Sequence, residues 1–162
     1  MPVLLRRKEE IIPTMPVLRP ATSADVEPLL GLVEAFHSED GYPFREEETR
    51  INLLRLLGDP QLGRLWVVED AGALAGYLVL ALGFSLEFRG RDAFVDELYL
   101  APSHRGRGLG KQALALAEAA CRELGVRALH LEVERDNDEA LGLYRKAGFV
   151  DHDRYLMTKW IE

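Results

Sequence analysis

Between Ala101 and Gln112 the sequence holds no acidic residue, although the chain as a whole is acidic, and Arg105, Arg107 and Lys111 all fall in that stretch. Gly106, Gly108 and Gly110 alternate with them. Glycines let backbone N–H groups approach an anion closely, and a loop that opens a helix adds the positive end of the helix dipole. The local field is positive, and the geometry suits a pyrophosphate. Spacing excludes two nucleotide motifs. A dinucleotide fingerprint needs glycine at position 111, where Lys111 stands, and a Walker loop needs one at position 105, where Arg105 stands. A tight turn with solvent-facing arginines is the plain alternative for an isolated loop of this kind. Two carboxylates precede the loop, Asp96 and Glu97. Adjacent on a strand, they point to opposite faces, so at most one serves a given pocket directly. Cys121 shares a helix face with Ala117 and Leu124, which assigns it to packing rather than covalent chemistry.

The elements that must position these groups follow from periodicity. Val17 to Arg19 reads as a short strand ended by Pro20. Thr22 or Ser23 then caps a helix carrying Val26, Leu29, Leu30, Val33 and Phe36, with Pro28 tolerable only near its first turn. Glu46 to Leu57 makes a second helix with Ile51, Leu54 and Leu57 inward, stopped by Gly58-Asp59-Pro60. Arg64 to Glu69 and Leu74 to Leu82 are strands joined by the hairpin connection Asp70-Ala71-Gly72-Ala73, and Ala93 to Leu100 is a third. Leu109, Ala113, Leu116, Ala117, Ala120 and Leu124 then recur at helical steps until Gly125. The strand around Leu129, Leu131 and Val133 returns parallel to Ala93–Leu100 through that helical crossover. Asp136 and Glu139 have capping-box spacing ahead of a short helix ending at Gly148, and Arg154 to Ile161 reads as a final strand.

Composition bounds the rest. At 162 residues, folding buries roughly 70% of the surface an unfolded chain exposes, enough for one self-sufficient core. With 20 basic and 27 acidic side chains the net charge is -7, which disfavours binding to nucleic acid or to anionic membrane surfaces. A single cysteine and four scattered histidines provide neither a disulfide nor a metal site at ligand spacing. The longest apolar stretch, Tyr77 to Leu82, is far short of the roughly 20 residues that span a bilayer, and no signal peptide is discernible. These features lead to the expectation of a cytoplasmic protein. Met1-Pro2-Val3-Leu4 recurs as Met15-Pro16-Val17-Leu18. Translation starting at either methionine is consistent with this, and residues 1–14 are expected to be a flexible extension before one domain over 15–162.

The run Arg105-x-x-Gly108-x-Gly110 after the strand Asp96-Glu97-Leu98-Tyr99-Leu100 resembles the acetyl-CoA motif of the GNAT acyltransferase superfamily. The resemblance continues through Asn137, Ala140, Leu143, Tyr144 and Gly148-Phe149, and covers the chain from about Val17 onward. It implies an α/β (α+β) fold: a mixed, mostly antiparallel sheet of six to seven strands flanked by about four helices, with two central parallel strands splayed apart. It also implies an N-acetyltransferase that moves acetyl from acetyl-CoA, with no metal, to a primary amine. That amine is a small cationic molecule or an amino group on a peptide or protein. A catalytically silent acyl-CoA-binding module is the alternative. Dimers are common in such families, so a homodimer is a further expectation.

By the same resemblance, backbone groups of the Leu98-Tyr99-Leu100 segment pair with the pantetheine arm. The amides of Arg105, Gly106, Arg107, Gly108, Leu109, Gly110 and Lys111 hold the pyrophosphate. Tyr144 resembles the tyrosine that protonates the departing CoA thiolate. Asn137 resembles a cofactor-contacting residue, but is equally good as a helix cap. Acetyl transfer needs a neutral amine, a stabilised oxyanion and a proton for the thiolate. Asp96 aligns better with the family's acidic position, Glu97 is the other candidate base, and a water chain can replace either. Glu34, Glu39, Asp40, Glu46, Glu47 and Glu48 surround only Arg45 between positions 34 and 48. In such folds this loop walls the acceptor site, which points to a cationic amine contacted by Tyr42 and Phe44. The bland reading is a solvated helix start.

Overall fold

A computed structural model describes residues 15–161. The extension expected over residues 1–14 lies outside the described residues. Strands β1 (Val17–Pro20), β2 (Gly63–Asp70), β3 (Ala73–Ser85), β4 (Gly90–Leu100) and β5 (Ala128–Leu131) form one sheet in that order. The first four are antiparallel to their neighbours and β5 runs parallel to β4. Ala71 and Gly72, both at positive φ (50° and 81°), form the two-residue turn between β2 and β3, a geometry that matches strand twist.

Four helices flank the sheet: α1 (Val26–Asp40), α2 (Glu46–Gly58), α3 (Leu109–Glu123) and α4 (Asp138–Lys146). Pro28 sits in the first turn of α1, where its missing N–H has no intrahelical partner to lose. Alternation along the strands creates two packed faces. On one, Leu65, Val67, Tyr77, Val79 and Tyr99 meet Val26, Leu29, Leu30 and Val33 of α1 and Leu53 of α2. On the other, Trp66, Leu78, Leu80, Ala93 and Val95 meet Ala113, Leu114, Ala117 and Cys121 of α3. Cys121 is thus a core residue, and burial pushes its thiol up, away from the reactive thiolate.

Three expectations are corrected. The inward face of α2 is Leu53 with Leu56 and Leu57, while Ile51 and Leu54 are exposed, so the helix is rotated from the phase read in sequence. The cap of α4 is Asn137, whose side chain accepts from the Ala140 N–H at 3.1 Å, rather than Asp136. The described residues contain five strands, not six to seven. Arg154 to Ile161 is rich in aromatic and aliphatic residues but lies exposed and pairs with no strand among the described residues. No described helix is long and apolar enough to cross a membrane.

Candidate active site

A local irregularity in β4 creates the site. Val79 of β3 faces Glu97 and Leu80 faces Val95, so Asp96 is an extra residue bulged between two pairs. A bulge bends its strand and ends regular pairing. The β4–β5 ladder stops at the same level, its last partners being Val95 and Leu131. Beyond it the parallel strands part, and Asp96 to Leu100 borders an open cleft. The Ala101 N–H donates to Ala75 O of β3 at 2.8 Å, so by alternation the backbone groups of Leu98 and Leu100 turn toward the cleft while those of Tyr99 turn toward β3.

The glycine loop closes one end of this cleft. Gly106 and Gly108 have φ of 69° and 80°, left-handed values that glycine adopts without strain. Gly108 is the N-cap of α3 and offers no side chain, while Gln112 N–H is the first to find an intrahelical acceptor, Gly108 O at 3.1 Å. The N–H groups of Leu109, Gly110 and Lys111 therefore remain at the positive end of the helix, whose first turn has no acid. A Cβ on Gly110 would stand 3.1 Å from Leu143 Cδ2, so the glycine also lets α4 pack closely.

The basic side chains are less free than composition suggested. Arg105 grips both Glu39 oxygens at 2.8 and 3.0 Å, donates from Nε to Leu100 O at 2.8 Å and lies over the Tyr99 ring. Arg107 faces Asp70 at 3.8 Å. An anion at the loop would therefore meet backbone N–H groups, the helix end and Lys111 rather than a free guanidinium of Arg105. The acidic stretch from Glu34 to Glu48 is only partly satisfied: Glu39 pairs with Arg105, whereas Glu34 and Asp40 have no ion-pair partner among the described residues. Arg50, two residues past its end, binds Glu46, Glu47 and Glu27, and Arg45 binds Glu48. Tyr42 and Phe44 line an open hollow of about 510 Å³ with Gly31, Glu34, Ala35 and Ser38, none of which is a cleft carboxylate.

On the α1 side of the cleft, Glu97 accepts from the buried Tyr77 hydroxyl at 2.7 Å and pairs with His37 Nε2 at 2.9 Å. His37 Nδ1 is buried without a partner, among the rings of Phe36, Tyr42 and Phe44. Burial, and then the charge of Glu97, hold Tyr77 far above ordinary tyrosine values, so it remains a phenol donor. Asp96 is reachable by solvent, yet the cleft walls displace enough water to push its carboxyl up. Glu97 adds to that shift and His37 opposes it. Glu132, just past β5, is raised first by desolvation and then by the charge of Asp96. Tyr144 packs from α4 into the cluster that holds Leu98 and Leu131, edge-on to Phe149 at 6.0 Å, and desolvation raises its hydroxyl.

The sequence pattern pointed to Asp96, Glu97 and Tyr144 and counted Glu39 only among the acids of the α1–α2 stretch, but it did not single out His37, Tyr77 or Glu132. His37 lies four residues after buried Val33, on the same helix face, and that spacing is the signal that could have found it. Among the described residues no three His, Cys, Asp or Glu side chains converge as metal ligands.

Residues 29–149 match the profile of the Acetyltransferase (GNAT) family. The chain belongs to that family. Like its members, this GNAT protein is an acetyltransferase by descent. It is 28% identical to the aminoalkylphosphonate N-acetyltransferase of Salmonella typhimurium, across 91% of this chain and 92% of that one. Among solved structures it is similar to an integron cassette protein, HFX_CASS3, from the mobile metagenome of Cole Harbour Salt Marsh. That similarity has a TM-score of 0.80 and 36% identity, with 90% of each chain covered. An acetyltransferase of Clostridium acetobutylicum, solved with acetyl-CoA, shares the fold at a TM-score of 0.77 and 20% identity, over 90% of this chain and 96% of that one.

Proposed function

We propose that this GNAT protein transfers acetyl from acetyl-CoA directly to the primary amino group of a small cationic amine. The observation that carries this reading is the cleft where β4 and β5 part. It offers the outward backbone groups of Leu98 and the N–H of Leu100, whose carbonyl Arg105 holds, to an extended pantetheine arm, unclaimed helix N–H groups at Leu109 to Lys111 to a pyrophosphate, and carboxylates to an amine. Asp96, Glu97 and Glu132 make the cleft electrostatically attractive to an ammonium group. Glu34, beside Tyr42 and Phe44 in the neighbouring hollow, adds to the acidic surroundings. The Salmonella relative is named for a small amine, which is consistent with a small acceptor, although the phosphonate of that molecule adds an anionic group.

In the reaction, the acceptor nitrogen attacks the thioester carbonyl and a tetrahedral oxyanion forms. Asp96, its carboxyl raised toward the working range of a base, takes the proton the nitrogen loses. Glu97, held by Tyr77 and His37, fixes the bulge that presents Asp96. The C–S bond then breaks and the Tyr144 phenol, kept protonated by burial, gives its proton to the CoA thiolate. The test is thiol release from acetyl-CoA across polyamines, amino acids, aminoglycosides, aminoalkylphosphonates and peptide N-termini. Turnover is expected with small cationic amines. Binding of acetyl-CoA without thiol release from any acceptor would instead establish a silent binding module.

A further inference from the structure

The stretch from Ala101 to Gln112 contains no acid, yet the fold brings one to the glycine loop. Asp70, the last residue of β2, faces residues on either side of Gly106. His104 Nε2 stands 2.9 Å from Asp70 Oδ2, and Arg107 Nη1 stands 3.8 Å from the same oxygen. The Asp70 side chain is only 21% accessible, so water and salt screen its charge weakly. A carboxylate at this place, left without a partner, would repel an incoming phosphate and draw the loop's cations to itself.

His104 supplies the partner. A carboxylate only accepts, so Nε2 carries the hydrogen and donates to Asp70. In the neutral ring Nδ1 is then an acceptor, and Ser103 Oγ, 2.9 Å away, donates to it. The chain Ser103–His104–Asp70 thereby fixes the ring, its tautomer and the carboxylate oxygen that it holds. Arg107 is placed differently. It is beyond hydrogen-bond range of the oxygen that His104 has taken, its side chain is 48% accessible, and it makes no hydrogen bond among the described residues. Arg105, by contrast, is engaged by Glu39 and by Leu100 O. Arg107 is thus the loop guanidinium still open to a phosphate.

We propose that His104 is a positioning residue for the cofactor: by occupying Asp70 it denies that carboxylate to Arg107 and leaves the Arg107 guanidinium to a phosphate of acetyl-CoA. The inference rests on the CoA reading of the cleft. It differs from a plain loop tie, which would use the same hydrogen bond, in the part given to Asp70. A tie needs the carboxylate, whereas a competitor for Arg107 is better removed.

Calorimetry with acetyl-CoA, and steady-state kinetics with any accepted amine, separate the two roles. His104→Ala lets Asp70 close on Arg107. The Kd and KM for acetyl-CoA are expected to rise roughly tenfold, the weight of one charge-assisted hydrogen bond, with kcat nearly constant. Asp70→Asn alone is expected to tighten acetyl-CoA binding, and this variant carries the test if His104→Ala misfolds. Combined with His104→Ala, it is expected to restore binding to the wild-type level or better. In an Arg107→Ala background, itself weakened, His104→Ala is expected to add nothing. Weaker binding by Asp70→Asn, or a double variant no better than His104→Ala, would make the pair a structural tie and overturn the proposal. Wild-type affinity in Arg107→Ala would overturn it as well. Absence of acetyl-CoA binding to the unaltered chain would overturn the CoA reading and this proposal with it, an outcome distinct from binding that follows the tie pattern.

Discussion

In the proposed reaction Tyr144 and Asp96 would divide the proton traffic because one is a phenol and the other a carboxyl, for burial shifts both in the same direction. Desolvation raises both, but a phenol is pushed further from ionising whereas a carboxyl is brought nearer to neutral pH, where it is a stronger base. Tyr144→Phe should therefore lower kcat by about 100-fold or more while acetyl-CoA still binds, measured by thiol release and by calorimetry. Unchanged kcat would remove Tyr144 from the acid role. For Asp96 the active form is the carboxylate, so kcat/KM should fall as pH drops through a value above the ordinary aspartate range. Asp96→Asn should abolish that acidic limb as well as most activity. A limb that persists in the variant would assign it to another group. Glu97 differs from its neighbour because both its oxygens are engaged, which explains why adjacency in sequence did not decide between the two acids. The strand alternation invoked for them also breaks at this point, since Asp96 is the bulged residue.

At the scale of elements, the strand–loop–helix unit from β4 through α3 was legible because its signals are local: strand period, glycines at left-handed positions, then a helical apolar face. What was not legible depended on contacts distant in sequence. Nothing near Arg105 announces Glu39, 66 residues earlier, yet one Arg105 nitrogen reaches both Glu39 oxygens and ties the end of α1 to the glycine loop. The count of the acidic stretch stopped before Arg50, which pairs with Glu46 and Glu47. Arg154–Ile161 has the aromatic and aliphatic residues of a strand, but composition does not supply a ladder partner, and the segment has none among the described residues. The Glu39–Arg105 tie makes a prediction for the element it braces. Glu39→Gln removes half of an exposed, charge-assisted pair, so folding stability should change by less than about 1 kcal/mol. The loop, however, loses the anchor that sets its distance from Leu100, and KM for acetyl-CoA should rise several-fold with kcat nearly constant. Steady-state kinetics with varied acetyl-CoA reads this split, and an unchanged KM would show that the loop holds its shape unaided.

Across the whole molecule, the two packed faces share one sheet, and β1 closes the edge opposite the cleft. That edge is fastened by a small ionic cluster. Arg19 of β1 donates to both oxygens of Asp25 at 2.9 Å and to Glu69 of β2 at 2.7 Å, and Asp25 also accepts from the Thr22 N–H at 2.7 Å. Asp25 is the buried charged residue of the described core, 6% accessible. Hydrogen bonding from Arg19 is the largest cause of its depression, and with Thr22 it outweighs desolvation, bringing the carboxyl down from 3.8 to about 2. A folded-state value below the unfolded one stabilises the fold above the unfolded value, and that stability is lost as pH falls through the folded one. The window here lies between about pH 4 and pH 2 and is worth about 2 kcal/mol. Urea unfolding from pH 7 to pH 2 should show this extra decline in the wild-type protein. Asp25→Asn should be less stable at neutral pH, because it leaves Arg19 with only Glu69, but should have a flatter acid profile. If both proteins lose stability in parallel through the window, the cluster does not govern acid unfolding, and the linkage lies with other carboxylates.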